Sequence, residues 1–240
     1  MAGRAWQFLS EWIEPLIGVI YPDVCEICGR SLVKGELLVC THCNADMPRL
    51  NKFDKPFNDI HHRLYSTNSH VDRAAALFAY HREDDFARLI QRMKYENHPE
   101  IGYKLGMLLA KEGEPYGFFD GVDLLLPVPM HWLKQMRRGY NQSEEIAKGV
   151  SRITKIPVGH NLKAGHKRDT QTHKSARMRW ENTKGIYSVS RSSQLEGKHV
   201  MIVDDVITTG STILHCSEAL TKAADDVRVS VCSIGATQLK

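Results

Sequence analysis

Apolar residues along this chain fall into two alternating rhythms. Short unbroken runs predict strands over Ala74 to Tyr80, Val122 to Val128, Val200 to Val206 and Val227 to Ile234. Between them the spacing becomes helical. Asp84 to Tyr95 puts Phe86, Leu89, Ile90 and Met93 on one face. Pro99 to Lys111 puts Leu105, Leu108 and Leu109 on one face, behind a proline suited to the first helical turn. Gln142 to Ile153 and Ile213 to Ala224 read as further helices. Strands alternating with helices predict an α/β fold, a parallel sheet flanked by helices, with ligands beyond the C-terminal strand ends.

The pattern also predicts the organisation. Residues 1–50 form an N-terminal helix and a cysteine-bearing module. Residues 51–73, mixed and rich in His, Asn and Asp, read as a connecting segment. Residues 74–240 hold the strands and helices of the main domain. Within that domain, Gly159 to Asn182 is polar and basic, without periodicity. A chain of 240 residues suits one ordinary domain plus a small appendage. Trp6 to Ile20 is partly apolar but is broken by Glu11, Glu14 and Pro15. It reads as a short amphipathic helix, not a transmembrane segment or a secretory signal, and the expected compartment is the cytoplasm.

Charge changes the picture only through its distribution. The net charge is +4, yet His131 to Lys184 carries 13 Lys/Arg against 4 Asp/Glu, and the rest carries 19 against 24. A basic middle segment suits an anionic ligand, either pyrophosphate or nucleic acid.

The strongest chemical signal follows the third apolar run. Val200 to Val203 leads into Asp204 and Asp205, then Val206, Ile207, Thr208, Thr209, Gly210, Ser211 and Thr212, then a helix. A helix start carries free N–H groups and partial positive charge, so it accepts a phosphate. Gly210 permits close backbone approach, and the hydroxyls of Thr208, Thr209, Ser211 and Thr212 are donors. Ionised Asp204 and Asp205 only accept, which suits sugar hydroxyls or an outer-shell magnesium. Together the halves fit a sugar carrying a phosphate. The run resembles the ribose-phosphate signature of type I phosphoribosyltransferases. That resemblance implies that the acids hold the ribose hydroxyls and the loop holds the 5′-phosphate of phosphoribosyl pyrophosphate (PRPP), with Mg²⁺.

Four of the six cysteines form two Cys-x-x-Cys pairs, Cys25 with Cys28 and Cys40 with Cys43. Each pair makes a knuckle, and two knuckles complete a tetrahedron of thiolates, the zinc-ribbon pattern. Leu32, Val33, Leu37, Leu38 and Val39 around Gly35 read as a small hairpin between them. The closed set predicts structural Zn²⁺ that supplies much of the module's folding energy. Two disulfides would need an oxidising compartment, and a redox pair would come singly. Cys216 and Cys232 fall on apolar patterns and read as buried small hydrophobes.

Further stretches narrow the resemblance. They are Asp123 to Pro129 with Pro127 and Pro129, then Arg137, Arg138, Gly139, Tyr140, Asn141 and Gln142, then Gln171, Arg179 and Asn182. With the cysteine pairs, the chain resembles the ComF family, ComF/GntX-like competence and DNA-utilisation proteins. The resemblance implies a type I phosphoribosyltransferase-like fold with an N-terminal zinc ribbon and a link to natural transformation or use of external DNA. Two partners follow as candidates: single-stranded DNA, and a helicase-like or recombination protein of the DNA-uptake machinery. Read from their chemistry, Arg137 and Arg138 clamp a pyrophosphate, or they meet nucleic-acid phosphates while Tyr140 stacks a base. Lys167, Arg168, Arg177 and Arg179 read as a basic arm. Whether the chain transfers ribose phosphate to a nitrogen acceptor is left open by the sequence.

Overall fold

The computed structural model describes residues 23–55, 57–65, 71–165 and 186–238. The N-terminal helix expected within Trp6 to Ile20 lies outside the described residues, as do Lys167, Arg168, Gln171, Arg177, Arg179 and Asn182. The chain divides into two compact units, Met1–Met47 and Pro48–Lys240.

In the first unit, Cys25, Leu38, Val39, Cys40, Cys43 and Met47 are buried. The hairpin expected between the knuckles is reduced to a turn at Gly35, whose φ is +101°, and an isolated bridge between Val24 and Ser31. A carboxylate does the work of the missing ladder. Glu36 accepts from the Val33 N–H at 2.9 Å, the Thr41 N–H at 2.6 Å and the Thr41 hydroxyl at 2.7 Å. Those donors, Val33 first, hold its pKa down to about 2. Helix α1 (Thr41–Ala45) carries the second knuckle, with the Cys40 sulfur as its N-terminal cap.

The second unit is built on four parallel strands, β1 (Val71–Ala79), β2 (Leu124–Pro127), β5 (His199–Ile207) and β6 (Arg228–Ala236). Their spatial order is β1-β6-β5-β2, with Pro127 opposite Val203 and Ile207 opposite Ala236. Helices α3 (Asp85–Tyr95), α4 (Pro99–Gly113) and α6 (Gln142–Thr154) form one layer. Here α4 and α6 touch backbone to backbone: a Cβ on Gly106 would lie 2.1 Å from the Ile146 carbonyl oxygen, and one on Gly149 would lie 2.0 Å from that of Tyr103. The other face packs α2 (Asp59–Leu64) and α7 (Ser211–Ala223) against the sheet, with Ile60, Leu64, Ile213, Cys216 and Leu220 meeting Val200 and Ile202. Cys232 is buried in β6, as expected of a small hydrophobe. The alternation along β5 sends Met201 and Val203 to the opposite face. Among the described residues no helix is long and apolar enough to cross a membrane.

Two features depart from the sequence pattern. The segment 51–73, read as a connection, contains α2, which puts Ile60 and Leu64 in the core. Asn58 makes this possible: its side-chain oxygen caps Ile60 and His61, and its amide donates to the Ala74 carbonyl at 2.7 Å. The polar stretch after Gly159 contains β3 (Leu162–Ala164), which pairs antiparallel with β4 (Tyr187–Val189). Strands of three residues are too short to leave a periodic signal.

Candidate functional site

Strand β5 ends by delivering Asp204 and Asp205, both partly buried, to the C-terminal edge of the sheet. The Asp204 carboxylate accepts from the Ser143 hydroxyl at 3.1 Å and from the Asp205 N–H at 2.9 Å. Burial, with the charge of Asp205 behind it, pushes the Asp204 pKa up to about 7. Asp205 is ion-paired to Lys94 of α3 at 2.8 Å. The pair therefore sits in a place that resists two uncompensated negative charges, which favours a ligand bringing hydroxyl donors or a cation.

The chain then turns through exposed Thr208 and Thr209 to Gly210, with φ +80°, and enters α7 at Ser211. A side chain at position 210 would be strained by that φ, and its Cβ would also lie 2.6 Å from Leu64. The first-turn N–H groups of α7 face the loop without intrahelical acceptors. Arg63 of α2 braces the loop from outside, donating to the Thr208 carbonyl at 2.6 Å and to the Thr237 carbonyl at 2.6 Å. Tyr187 of β4 interacts with Thr212, and burial foremost raises its pKa to about 12. Acid pair, hydroxyl loop and helix start thus come together as expected. Ser143, Lys94, Arg63 and Tyr187 join them from elements remote in sequence.

Arg137 and Arg138 end the short helix α5 (Trp132–Arg138). With Lys94, Tyr95 and Asn97 they line a hollow of about 170 Å³. Lys94 belongs both to this hollow and to the ion pair with Asp205, and so links the two. The rest of the motif is spent on the fold. The Tyr140 hydroxyl donates to the Met93 carbonyl, Asn141 caps α6 and donates to the Val128 carbonyl at 2.9 Å, and Gln142 is buried. The structure therefore gives Tyr140 an anchoring place in which its hydroxyl is engaged, and leaves the arginines facing the hollow.

The four cysteine sulfurs all lie within 4.8 Å of one another, and those of Cys28 and Cys40 are 3.7 Å apart. Sulfurs on a tetrahedron with metal–sulfur bonds of about 2.3 Å are about 3.8 Å apart, so the set can hold a metal ion. Burial opposes ionisation of Cys25, but N–H donors from Cys28, Cys40 and Ile27 outweigh it and draw its pKa down to about 6. Cys43 goes the other way, its thiol pushed up by burial and by its three neighbours. Thiolates this crowded are stabilised by a shared cation.

The phosphoribosyl transferase domain family matches residues 79–232, more than half of the chain. The chain belongs to the phosphoribosyl transferase domain family, as a ComF-family phosphoribosyltransferase-like protein. It is 34% identical to Competence protein F of Haemophilus influenzae over 59% of its length, covering 64% of that protein, just under two thirds. It is 27% identical to DNA utilization protein YhgH of Escherichia coli over 83% of its length and 91% of that protein. Competence protein ComFC of Bacillus subtilis is 24% identical over 86% of this chain and 75% of that protein. For a phosphoribosyltransferase-like fold, the acid pair and the Thr208–Thr212 loop occupy the strand end where such a sheet places its ligand.

Proposed function

We propose that this protein binds PRPP with Mg²⁺ at the end of β5 and serves DNA uptake, natural transformation or the use of external DNA. One observation carries the ligand assignment: two carboxylates lead without interruption into a hydroxyl-lined loop closed by Gly210 and the start of α7. In this reading Asp204 and Asp205 accept hydrogen bonds from the ribose hydroxyls. Thr208, Thr209, Ser211, Thr212 and the first N–H groups of α7 hold the 5′-phosphate. Lys94, Arg137 and Arg138 receive the pyrophosphate end. The crowded acid pair also suits Mg²⁺, which would neutralise pyrophosphate charge when bound. The DNA side of the proposal rests on the names of the relatives, competence and DNA-utilisation proteins, with single-stranded DNA and a helicase-like or recombination protein as the corresponding partners.

Calorimetric titration of PRPP with Mg²⁺ into the wild type and an Asp204→Asn/Asp205→Asn variant tests the ligand. Binding by the wild type and loss in the variant support it; a wild type that does not bind removes it. A second reading, active transfer, is favoured by the three cations around the hollow, of which Lys94 pairs with Asp205. There the C1–O bond to pyrophosphate breaks, a C1–N bond to an acceptor forms, and pyrophosphate leaves with its charge met by those cations. Release of pyrophosphate in the presence of a nitrogen base is the readout.

The cysteine cluster we assign to structural Zn²⁺, held by Cys25, Cys28, Cys40 and Cys43 in a reducing, cytoplasmic setting. Purified protein is expected to contain about one zinc per chain, and Cys25→Ser to lose it. Metal retained at wild-type level by that variant would refute the assignment.

A further inference from the structure

Lys94 stands between two settings of opposite charge. On one side its ammonium lies 2.8 Å from the Asp205 carboxylate, and both side chains are largely shielded from solvent. Such a pair is screened less than one at the surface. On the other side Lys94 lines the hollow of about 170 Å³ with Tyr95, Asn97, Arg137 and Arg138. Its backbone is fixed. Met93, the residue before it in α3, is buried, and the Met93 carbonyl takes the Tyr140 hydroxyl. Only the flexible four-carbon stem can change direction.

The lining of the hollow decides where that stem points. It contains no acid to hold an ammonium. Arg138 is tied in place, donating to the Gln142 side-chain oxygen at 3.1 Å and lying over the Tyr95 ring at 5.4 Å. An ammonium turned into the hollow meets these guanidiniums without a counter-charge, so the pair with Asp205 is its better place. Among the described residues, Lys94 is the one cation within ion-pair distance of either Asp204 or Asp205. There it occupies a carboxylate oxygen that a ribose hydroxyl would use and repels a second cation. An anion in the hollow reverses the preference. Lys94 then has a new partner beside two arginines, and Asp205 is released.

We infer that Lys94 sets the specificity of this site: its ion pair with Asp205 weakens ligands that engage the acids alone, and exchange of that pair for a pyrophosphate favours a ligand carrying a diol and a pyrophosphate together. The inference rests on the ribose-phosphate reading. It makes the two halves of the site cooperative. Filling the hollow frees the acids, and by linkage filling the acids frees Lys94 for the hollow. Ribose 5-phosphate, with its phosphate at the Thr208–Thr212 loop, breaks the pair and gives Lys94 nothing to turn to.

Calorimetric titrations of the full chain, wild type and Lys94→Met, with PRPP and with ribose 5-phosphate, each with Mg²⁺, test this. In Lys94→Met the affinity for ribose 5-phosphate should rise about tenfold and that for PRPP should fall about tenfold. Lys94→Gln, a second variant, should move both in the same directions. Mn²⁺ titrated alone and followed by electron paramagnetic resonance gives a readout independent of the sugar. Lys94→Met should bind it about tenfold more tightly than the wild type, and the gain should vanish when Asp204→Asn/Asp205→Asn is added. The inference is overturned if ribose 5-phosphate binds both variants no better than the wild type, whether equally, as for a plain pyrophosphate contact, or worse, as for a structural prop. It is also overturned if the Mn²⁺ affinity does not rise. PRPP binding by the wild type without these gains removes the inference alone. Failure of wild type and variants to bind either sugar phosphate removes the ribose-phosphate reading and the inference with it.

Discussion

The two ends of β5 treat their polar side chains in opposite ways. At the N-terminal end every group is met. His199 is buried, its ring bonded to the Ser230 hydroxyl at 2.8 Å and accepting from Arg228 at 2.8 Å, while Arg228 also reaches Asp72 at 3.3 Å. Asp123 accepts the His199 N–H at 2.9 Å, and that donor above all lowers its pKa. At the C-terminal end Asp204 and Asp205 crowd each other, and the pKa of Asp204 rises to about 7. One strand thus has an end whose polar groups pair off and an end where two carboxylates crowd each other despite the Lys94 ion pair and the Ser143 hydroxyl. Completed polar networks hold a fold, whereas crowded like charges at a strand end mark a place for a ligand.

The sharpest break in the comparison is the Asp204→Asn/Asp205→Asn variant. Two lost charge-assisted bonds of about 1.5–3 kcal/mol each predict at least about a 100-fold loss of PRPP affinity. Its melting temperature should equal or exceed that of the wild type, since the crowding is gone. A large drop in stability, seen by calorimetry, would mean that this end too is structural. His199→Ala at the other end should do the reverse. It costs about 2 kcal/mol in chemical denaturation by stranding the buried Ser230 hydroxyl, and leaves PRPP affinity unchanged. Next comes Arg63→Met, which removes two donors from the carbonyls of Thr208 and Thr237. PRPP affinity should fall about tenfold through a loosened loop. An unchanged affinity would show that the loop holds its shape unaided.

The smallest effect is in pH. Asp204 binds its proton more tightly in the folded chain than in the unfolded one, so its contribution is full below the ordinary carboxylate range and is lost as pH rises through about 7. His199 is the reverse. Burial, then Arg228, lowers its pKa, so its contribution is full above its ordinary value of 6.5 and is lost as pH falls. In ligand-free protein, Asp204→Asn should flatten the loss of melting temperature as pH rises from about 4 to about 7, and His199→Gln should flatten the loss as pH falls below 6.5. Swapped effects would invert the assignment of the two ends.

The sequence made one half of this site legible and hid the other. Asp204 to Thr212 is contiguous, so strand, loop and helix start read off a single run. Cys25, Cys28, Cys40 and Cys43 were legible for the same reason: local spacing sets their geometry. Lys94, Ser143 and Arg63 were not, because each reaches the site from another element, Arg63 across 145 residues to Thr208. Nothing in the local pattern around Arg63 distinguishes it from a surface cation. Tyr140 and Gln142 carry a structural contact that the motif does not announce. A motif of arginines, an aromatic and amides suggests a binding loop, yet the Tyr140 hydroxyl and the Gln142 amide both reach the Met93 carbonyl, a tertiary contact no spacing reveals.

The Arg63 brace has a consequence for the order in which the protein is made. Helix α2 leaves the ribosome early, but one of the two carbonyls its guanidinium grips belongs to Thr237, just past the last strand. Until β6 has emerged and docked, the loop at Thr208 lacks half of its clamp. The bracing of this loop is therefore a late product of synthesis, completed only when nearly the whole chain is present.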